Sequence, residues 1–196
     1  MTSELKMLQS ELQDNRFELV SALFDSRSQL QRDQIEWIVR ACGERLSGSA
    51  LVFGLGYDSM LWSKLSNTIF IEDNARWYKR IFSEPNSDCL HAYLVNYNTQ
   101  VKTWRRDLRQ RKTTTLPPEV ESQQFDAVII DGPRGSRRQS PGRVSSILIA
   151  QQLVKDGGII VLNDLSRNLE KNVASQILGE PSKTFENRSL LGSWEF

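Results

Sequence analysis

Ala50-Leu51-Val52-Phe53-Gly54-Leu55-Gly56-Tyr57 is an apolar run that closes in a glycine-spaced turn. Its apolar residues follow one another without alternation, the pattern of a strand covered on both faces in a parallel sheet. Gly54 and Gly56 lack Cβ atoms, so the backbone there can turn sharply and a nucleotide-like ligand can come close to it. A G-x-G turn alone is a weak signal, but its place at the end of a buried strand gives it a context.

The rest of the chain repeats that unit. Ile69-Phe70-Ile71, Ala92 to Val95, Ala127 to Ile130 and Ile159 to Leu162 are further apolar runs without alternation. Helical stretches are expected over Asp58 to Ser66, Ala75 to Phe82 and Val144 to Lys155. Strand and helix in alternation imply right-handed crossovers, a parallel sheet, and ligands at the carboxyl ends of the strands. Leu169 to Leu178 is amphipathic, and Lys183 to Phe196 holds two weaker strand-like pieces that can close the sheet as an antiparallel edge hairpin.

At the other end, Leu5, Leu8 and Leu12, then Leu19 and Leu23, then Leu30, Ile35, Ile38, Val39, Cys42 and Leu46 recur at helical spacing. The last of these segments is expected to run from about Ser28 to the Ser47-Gly48-Ser49 turn. Lys102 to Lys112 reads as a basic helix followed by a loop or linker at Thr113 to Pro118.

Bulk properties bound the function. A chain of 196 residues, 39% hydrophobic, supports one ordinary core. Its 25 basic and 24 acidic residues leave a net charge of +1, which argues against a dedicated nucleic-acid binder. Cys42 and Cys89 have no metal-site spacing and read as free thiols. Met1 to Glu11 has neither a basic start nor an apolar core, and no stretch approaches the roughly 18 apolar residues of a membrane span. The expectation is a soluble protein of the cytoplasm or another intracellular space, without a membrane segment.

Several residues stand where chemistry belongs. The position three after Gly56 is Ser59 rather than the third glycine of a dinucleotide fingerprint, so a cofactor without a pyrophosphate fits better. Glu72 ends the second strand and can accept both hydroxyl protons of a ribose. Asp131 ends the fourth strand, and Asn163-Asp164 ends the fifth. If those strands are neighbours, the two aspartates converge and could share a proton or bind a divalent cation. His91, the one histidine, lies at the wrong end of its strand, so no histidine triad can form. Arg134, Arg137, Arg138 and Arg143 crowd the loop after Asp131, where arginine forks suit an anionic substrate and a solvated basic turn is the plainer reading. Trp62, Trp77, Tyr78 and Trp104 read first as packing residues.

Five motifs occur in order: L-V-F-G-L-G-Y-D-S-M-L-W from Leu51, I-F-I-E-D-N-A-R-W from Ile69, D-A-V-I-I-D-G-P-R-G from Asp126, P-G-R-V from Pro141 and N-D-L-S-R from Asn163. Together they resemble the glucuronoxylan 4-O-methyltransferase family of polysaccharide biosynthesis proteins. The resemblance spans about Gln29 to Phe196. It implies a Rossmann-like class I methyltransferase domain over 29–196; it does not cover the first 28 residues, which the apolar spacing alone makes a helical extension over 1–28. The implied sheet is mostly parallel and doubly wound, with a C-terminal antiparallel hairpin. The implied cofactor is S-adenosyl-L-methionine, held by Gly54, Gly56, Tyr57, Ser59, Glu72 and Asp131. Asp131, Arg143 and Asp164 match the remaining motif positions and are expected to serve catalysis on a glycan or another anionic small molecule. The chain departs from the family pattern at Tyr57, Gly132 and Asn163, where the family usually has His, Ala and His. Plant members also carry an amino-terminal Golgi anchor, which this sequence does not show. On the residues alone, a nicotinamide-dependent oxidoreductase and a catalytically silent interaction module remain alternatives. A divalent cation and the oligomeric state stay open.

Overall fold

Seven strands form one sheet in the order β3-β2-β1-β4-β5-β7-β6. They are β1 Ser49–Phe53, β2 Asn67–Glu72, β3 His91–Leu94, β4 Phe125–Ile130, β5 Val154–Leu162, β6 Lys183–Asn187 and β7 Ser189–Glu195. The structure is a computed structural model and describes residues 14–196. The first five strands pair in parallel, while β7 runs antiparallel to both β5 and β6. The edge hairpin expected from Lys183 to Phe196 is therefore present.

Residue alternation sorts the sheet into two apolar layers. Leu51, Phe53, Ile69, Ile71, Val128, Ile130, Ile160 and Leu162 face one side, together with Ile147 and Leu148 of α7 (Val144–Leu153) and Val173 of α8 (Asn168–Ile177). Ala50, Val52, Phe70, Ala127, Ile129 and Val161 face the other, with Ile35 and Ile38 of α2 (Arg32–Cys42) and Leu61 and Trp62 of α3 (Ser59–Leu65). Both faces are covered, which is why these strands show no polar alternation. Three shorter helices, α4 (Ala75–Phe82), α5 (Trp104–Arg109) and α6 (Pro118–Glu121), complete the connections.

Strand order reverses between β1 and β4, so their carboxyl ends flank a crevice open to a ligand. The chain goes outward from β1 to β2 and β3, then returns past β1 to β4. This crossover brings Gly54 and Asp131 side by side although they are far apart in sequence.

At the amino-terminal side, residues 14–23 are helical (α1). Val20 is fully buried in the same cluster as Leu30 and Ile35, and Arg16 donates to the Gly43 carbonyl at 2.6 Å. Leu5, Leu8 and Leu12 lie outside the described residues. Leu19 and Leu23 are exposed, because the face of α1 that meets the domain is the one carrying Arg16 and Val20. The segment that follows also differs from the expectation. It stops at Gly43, whose φ of 54° a residue with a side chain adopts at a cost, and Gly43–Ser47 continues as a 3-10 turn.

Two further boundaries differ. α7 ends at Leu153, and β5 starts at once with Val154 paired to Phe125, then bulges before pairing Ile159 with Ala127. Thr113 to Pro118 is no linker: Thr114 and Leu116 are buried, and the Thr114 amide donates to Ser145 Oγ at 2.7 Å. Cys42 is buried, Cys89 exposed, and both are free thiols. Among the described residues no helix is long and apolar enough to cross a membrane.

Phe53 is completely buried at the centre of the sheet. Phe53→Ala should lower unfolding stability by about 3–5 kcal/mol, measured by urea denaturation. A loss below 1 kcal/mol would mean that the β1 centre is not the core described.

Candidate functional site

A cleft of about 490 Å³ opens over the carboxyl ends of β1, β2, β4 and β5. That volume suits a cofactor-sized ligand. The loop after β1 supplies its floor from Gly54 to Ser59, the loop after β2 one wall from Glu72 to Trp77, and the loops after β4 and β5 the other. Gln29 and Leu30, from the segment before α2, close the remaining side.

The turn after β1 is built by glycines, but for reasons the sequence did not reveal. Gly54 has φ of 113°, and a Cβ there would meet the Gly132 amide at 3.2 Å. A Cβ on Gly132 would in turn meet Gly54 Cα at 2.9 Å. The two glycines let the β1 and β4 loops touch. At Gly56 a Cβ would collide with Asp58 Oδ1 at 2.4 Å, so this glycine makes room for a carboxylate of the protein itself. Ser59 is buried, and its hydroxyl accepts from the Gly56 amide at 2.9 Å, fixing the turn. Tyr57 is wedged edge-on against Trp77 with centroids 5.5 Å apart. Its hydroxyl accepts from Arg80 Nε at 2.6 Å, and the Arg27 guanidinium lies 3.9 Å above its ring.

Glu72 sits buried at the end of β2 and organises both neighbouring loops. Oε2 accepts from the Leu55 amide at 2.9 Å, and Oε1 from the Asp73 and Asn74 amides at 2.9 and 2.7 Å. A carboxylate offers about four lone-pair sites, so three amides leave room for a further donor. Burial raises the Glu72 pKa, against the pull of those amides, and the adjoining Asp73 is raised by the same desolvation. Asn74 caps α4 by accepting from the Arg76 and Trp77 amides, and the Trp77 indole donates to the Leu55 carbonyl.

Asp58 is the residue that sequence reasoning passed over. It stands at the N-cap of α3 and lines the cleft, with Oδ2 accepting from Trp62 Nε1 at 2.8 Å. Burial, and then the nearby Asp131, push its pKa up to about 6. A carboxylate at a helix start occupies the place where a pyrophosphate would sit and repels it. The one available signal was its spacing, two residues after the second glycine.

The far wall is a charge network. Arg143 is 3% exposed. Its Nη2 reaches Asp164 Oδ2 at 2.8 Å and Asp131 Oδ1 at 3.4 Å, and it also donates to the main-chain carbonyls of Asp131 and Asn163. Asn163 Nδ2 donates to Asp131 Oδ1 at 2.7 Å, and Arg167 pairs with Asp164 Oδ2 at 2.9 Å. Burial raises the Asp131 pKa, partly offset by Arg143 and the Asn163 bond.

The two aspartates thus converge as their strand positions implied, but a guanidinium lies between them. That corrects two expectations. Arg143 does not present a free fork to an anionic substrate: it is buried and both Nη atoms donate within the wall, while Nε, buried as well, has no partner among the described residues. A divalent cation on Asp131 and Asp164 does not fit, since it would have to displace Arg143. Among the described residues no group of three or more His, Cys, Asp or Glu side chains could hold a metal ion. Arg134, Arg137 and Arg138 are exposed on the loop above, with Arg134 on the cleft rim.

This geometry agrees with the similarity found elsewhere. A family model described as IRX15/IRX15L/GXM matches residues 33–115 and 110–192. The chain is 30% identical over 157 residues to arabinogalactan O-methyltransferase 1 of Arabidopsis thaliana, covering 65% of this chain and 54% of that protein. It is 28% identical over 165 residues to glucuronoxylan 4-O-methyltransferase 2 of the same plant, covering 70% of this chain and 56% of the relative. The chain therefore spans little more than half the length of these two relatives. Among solved structures, the O-methyltransferase of Bacillus cereus in complex with SAH superposes with a TM-score of 0.58 at 10% identity, covering 95% of this chain and 91% of that one. A putative O-methyltransferase from Klebsiella pneumoniae gives 0.56 at 10% identity, covering 94% of this chain and 89% of that one. At such identity the likeness establishes the fold, a class I methyltransferase fold.

Removing Arg143 would leave two half-buried carboxylates without their partner. Arg143→Ala should cost about 3 kcal/mol of stability, read by chemical denaturation. Asp131→Asn combined with Asp164→Asn should recover part of that loss. If the double change recovers nothing in the Arg143→Ala background, the network does not carry the coupling assigned to it.

Proposed function

The chain belongs to the IRX15/IRX15L/GXM family, and on that premise we propose that it transfers a methyl group from S-adenosylmethionine to a hydroxyl oxygen of an anionic glycan. The observation that carries this reading is the set of five carboxylates in the cleft: Asp58, Glu72, Asp73, Asp131 and Asp164 line it, while of the four arginines there Arg143 and Arg167 are taken up by Asp164 and Arg76 and Arg134 stand exposed. Desolvation raises the pKa of four of the carboxylates, Asp58, Glu72, Asp73 and Asp131. Such a site favours a cationic ligand and disfavours phosphates, which speaks against a nicotinamide dinucleotide.

The residues fit S-adenosylmethionine. Glu72 has acceptor capacity left for a ribose hydroxyl, Trp77 offers an aromatic wall, and Asp58 and Asp131 surround the position suited to a positive sulfur. When bound, the cofactor supplies a methyl carbon made electrophilic by a sulfonium.

Asp131 is the residue we assign to take the acceptor's hydroxyl proton as the oxygen–carbon bond forms and the carbon–sulfur bond breaks. Its burial raises its proton affinity, and Asn163 orients one of its oxygens. Asp164 is less suited, since one of its oxygens takes both Arg143 and Arg167. Arg143 is a positioning residue for both. The exposed Arg134 at the rim suits an acceptor carboxylate. The acceptors in the relatives' names, arabinogalactan and glucuronoxylan, are polysaccharides, which supports a glycan here.

Calorimetric titration with S-adenosylmethionine, S-adenosylhomocysteine and NAD tests the reading directly. The first two should bind and NAD should not. Glu72→Ala should weaken cofactor binding by at least about tenfold. Asp131→Asn should weaken S-adenosylmethionine binding less than Glu72→Ala does and reduce turnover on a uronic-acid glycan at saturating cofactor by about 10² or more. NAD binding alone, or full turnover by Asp131→Asn, would refute the proposal.

The raised pKa of Asp58, about 6, gives a pH test. Above it the carboxylate is charged and attracts the sulfonium; below it the attraction is lost. A sulfonium that lowers that pKa by one unit binds the ionised site about tenfold more tightly. Affinity for S-adenosylmethionine relative to the neutral S-adenosylhomocysteine should therefore fall between pH 8 and pH 5, both numbers being approximate brackets about that pKa. A constant ratio would remove Asp58 from the cofactor's surroundings.

A further inference from the structure

Charge is unevenly distributed over this nearly neutral chain. Residues 97–118 and 132–155 hold 11 of the 25 basic residues and, of the 24 acids, only Asp107. That acid is fully buried: Oδ2 accepts from Thr103 Oγ1 at 2.6 Å and from the Gln100 amide at 3.2 Å. It fastens α5 in place and leaves the outer face of the helix without a negative charge of its own. Lys102, Arg105, Arg106 and Arg109 are exposed there. Of these only Arg106 meets a carboxylate within 4 Å among the described residues, at 3.5 Å on Asp107.

This face is continuous with the cleft. The Val101 amide donates to the Ser140 carbonyl, and the Lys102 amide to the Arg138 carbonyl, both at 2.9 Å. Ser140 itself lines the cleft, as does Arg134 in the same loop. The packing is close: Gly142 has φ of 68°, and a Cβ there would meet Val101 Cγ2 at 3.1 Å. From Lys102 to Arg109 the helical rise alone carries the charges about 10 Å along the surface. The basic area is thus much longer than a single sugar carboxylate requires.

We propose that the exposed face of α5, together with Arg137 and Arg138, is a binding surface for a polyanionic carbohydrate chain, engaging carboxylates beyond the unit that is methylated. This rests on the reading of the acceptor as an anionic glycan and extends it from one sugar to a polymer. Solvated cations that, Arg106 apart, meet no carboxylate among the described residues suit a flexible chain of spaced carboxylates, and release of its counterions favours binding. A single-stranded nucleic acid is less well matched, because its binding depends on free aromatic faces. The one tryptophan here, Trp104, has the Arg105 guanidinium 4.9 Å over its ring.

The test uses the full chain and immobilised polygalacturonate, with dextran as the neutral control and a single-stranded oligonucleotide as the competing class. Binding is measured between about 50 and 200 mM salt. The variant carries Lys102→Gln, Arg105→Gln and Arg109→Gln, all outside the cleft, with circular dichroism and thermal melting to check folding. We expect wild-type protein to bind polygalacturonate and not dextran. The variant should bind it about tenfold more weakly, with a log–log salt slope smaller by about three and unchanged S-adenosylmethionine binding. Undiminished polymer binding by the folded variant would overturn the proposal, as would tighter binding of the oligonucleotide than of polygalacturonate by the wild type. Failure of the wild type to bind S-adenosylmethionine would sink the methyltransferase reading instead, and is seen separately in the same samples.

Discussion

A guanidinium held out of water between two carboxylates is the constraint around which this site is arranged. Burying an ion is costly unless its partners are close and its donors satisfied. Arg143 finds partners for both of its Nη atoms, though not for Nε, only if the ends of β4 and β5 lie side by side, because those partners are Asp131 on one strand and Asn163-Asp164 on the next. The start of α7 follows Arg143 directly, so the same contact fixes where that helix leaves the sheet. Strand pairing, helix placement and carboxylate position are thus set together. This wall cannot be loosened without exposing an uncompensated charge.

The opposite wall is organised by a different device. Glu72 gathers three main-chain amides from two loops, which makes it a structural centre of the cleft. Between the two walls lie carboxylates that desolvation makes reluctant to ionise. A cleft of this kind holds unfavourable electrostatic energy in the absence of a cation, and a positively charged ligand relieves it. The proposed preference for a sulfonium over a phosphate rests on that balance. It does not depend on any one hydrogen bond.

The rim of the molecule has the reverse polarity. Five acids line the cleft against four arginines, two of them paired with Asp164, while Arg105, Arg106 and Arg109 of α5, with Lys102, Arg137 and Arg138, lie exposed beyond it. A cationic cofactor and an anionic acceptor would then be drawn to different parts of one opening. Net charge conceals this, since the two populations nearly cancel over the whole chain.

Much of this was legible in the sequence because it depends on local pattern. Uninterrupted apolar runs such as Ile159 to Leu162 announce strands buried on both faces, and an acid directly after such a run must sit at the carboxyl edge of the sheet. Those two facts were enough to place Glu72, Asp131 and Asp164 and to assign the fold. Other features depend on contacts between distant residues, and no local pattern encodes them. Gly54 is a glycine because Gly132 lies against it, and Gly56 because Asp58 folds back over it. Arg143 looks like one arginine among four in a basic loop, yet it alone turns inward, because only there do two strand ends offer it carboxylates. Sequence periodicity determined which residues reach the cleft. Tertiary packing decided which of them remain free to meet a ligand, because a charged or polar group is available only if no closer partner has already satisfied it.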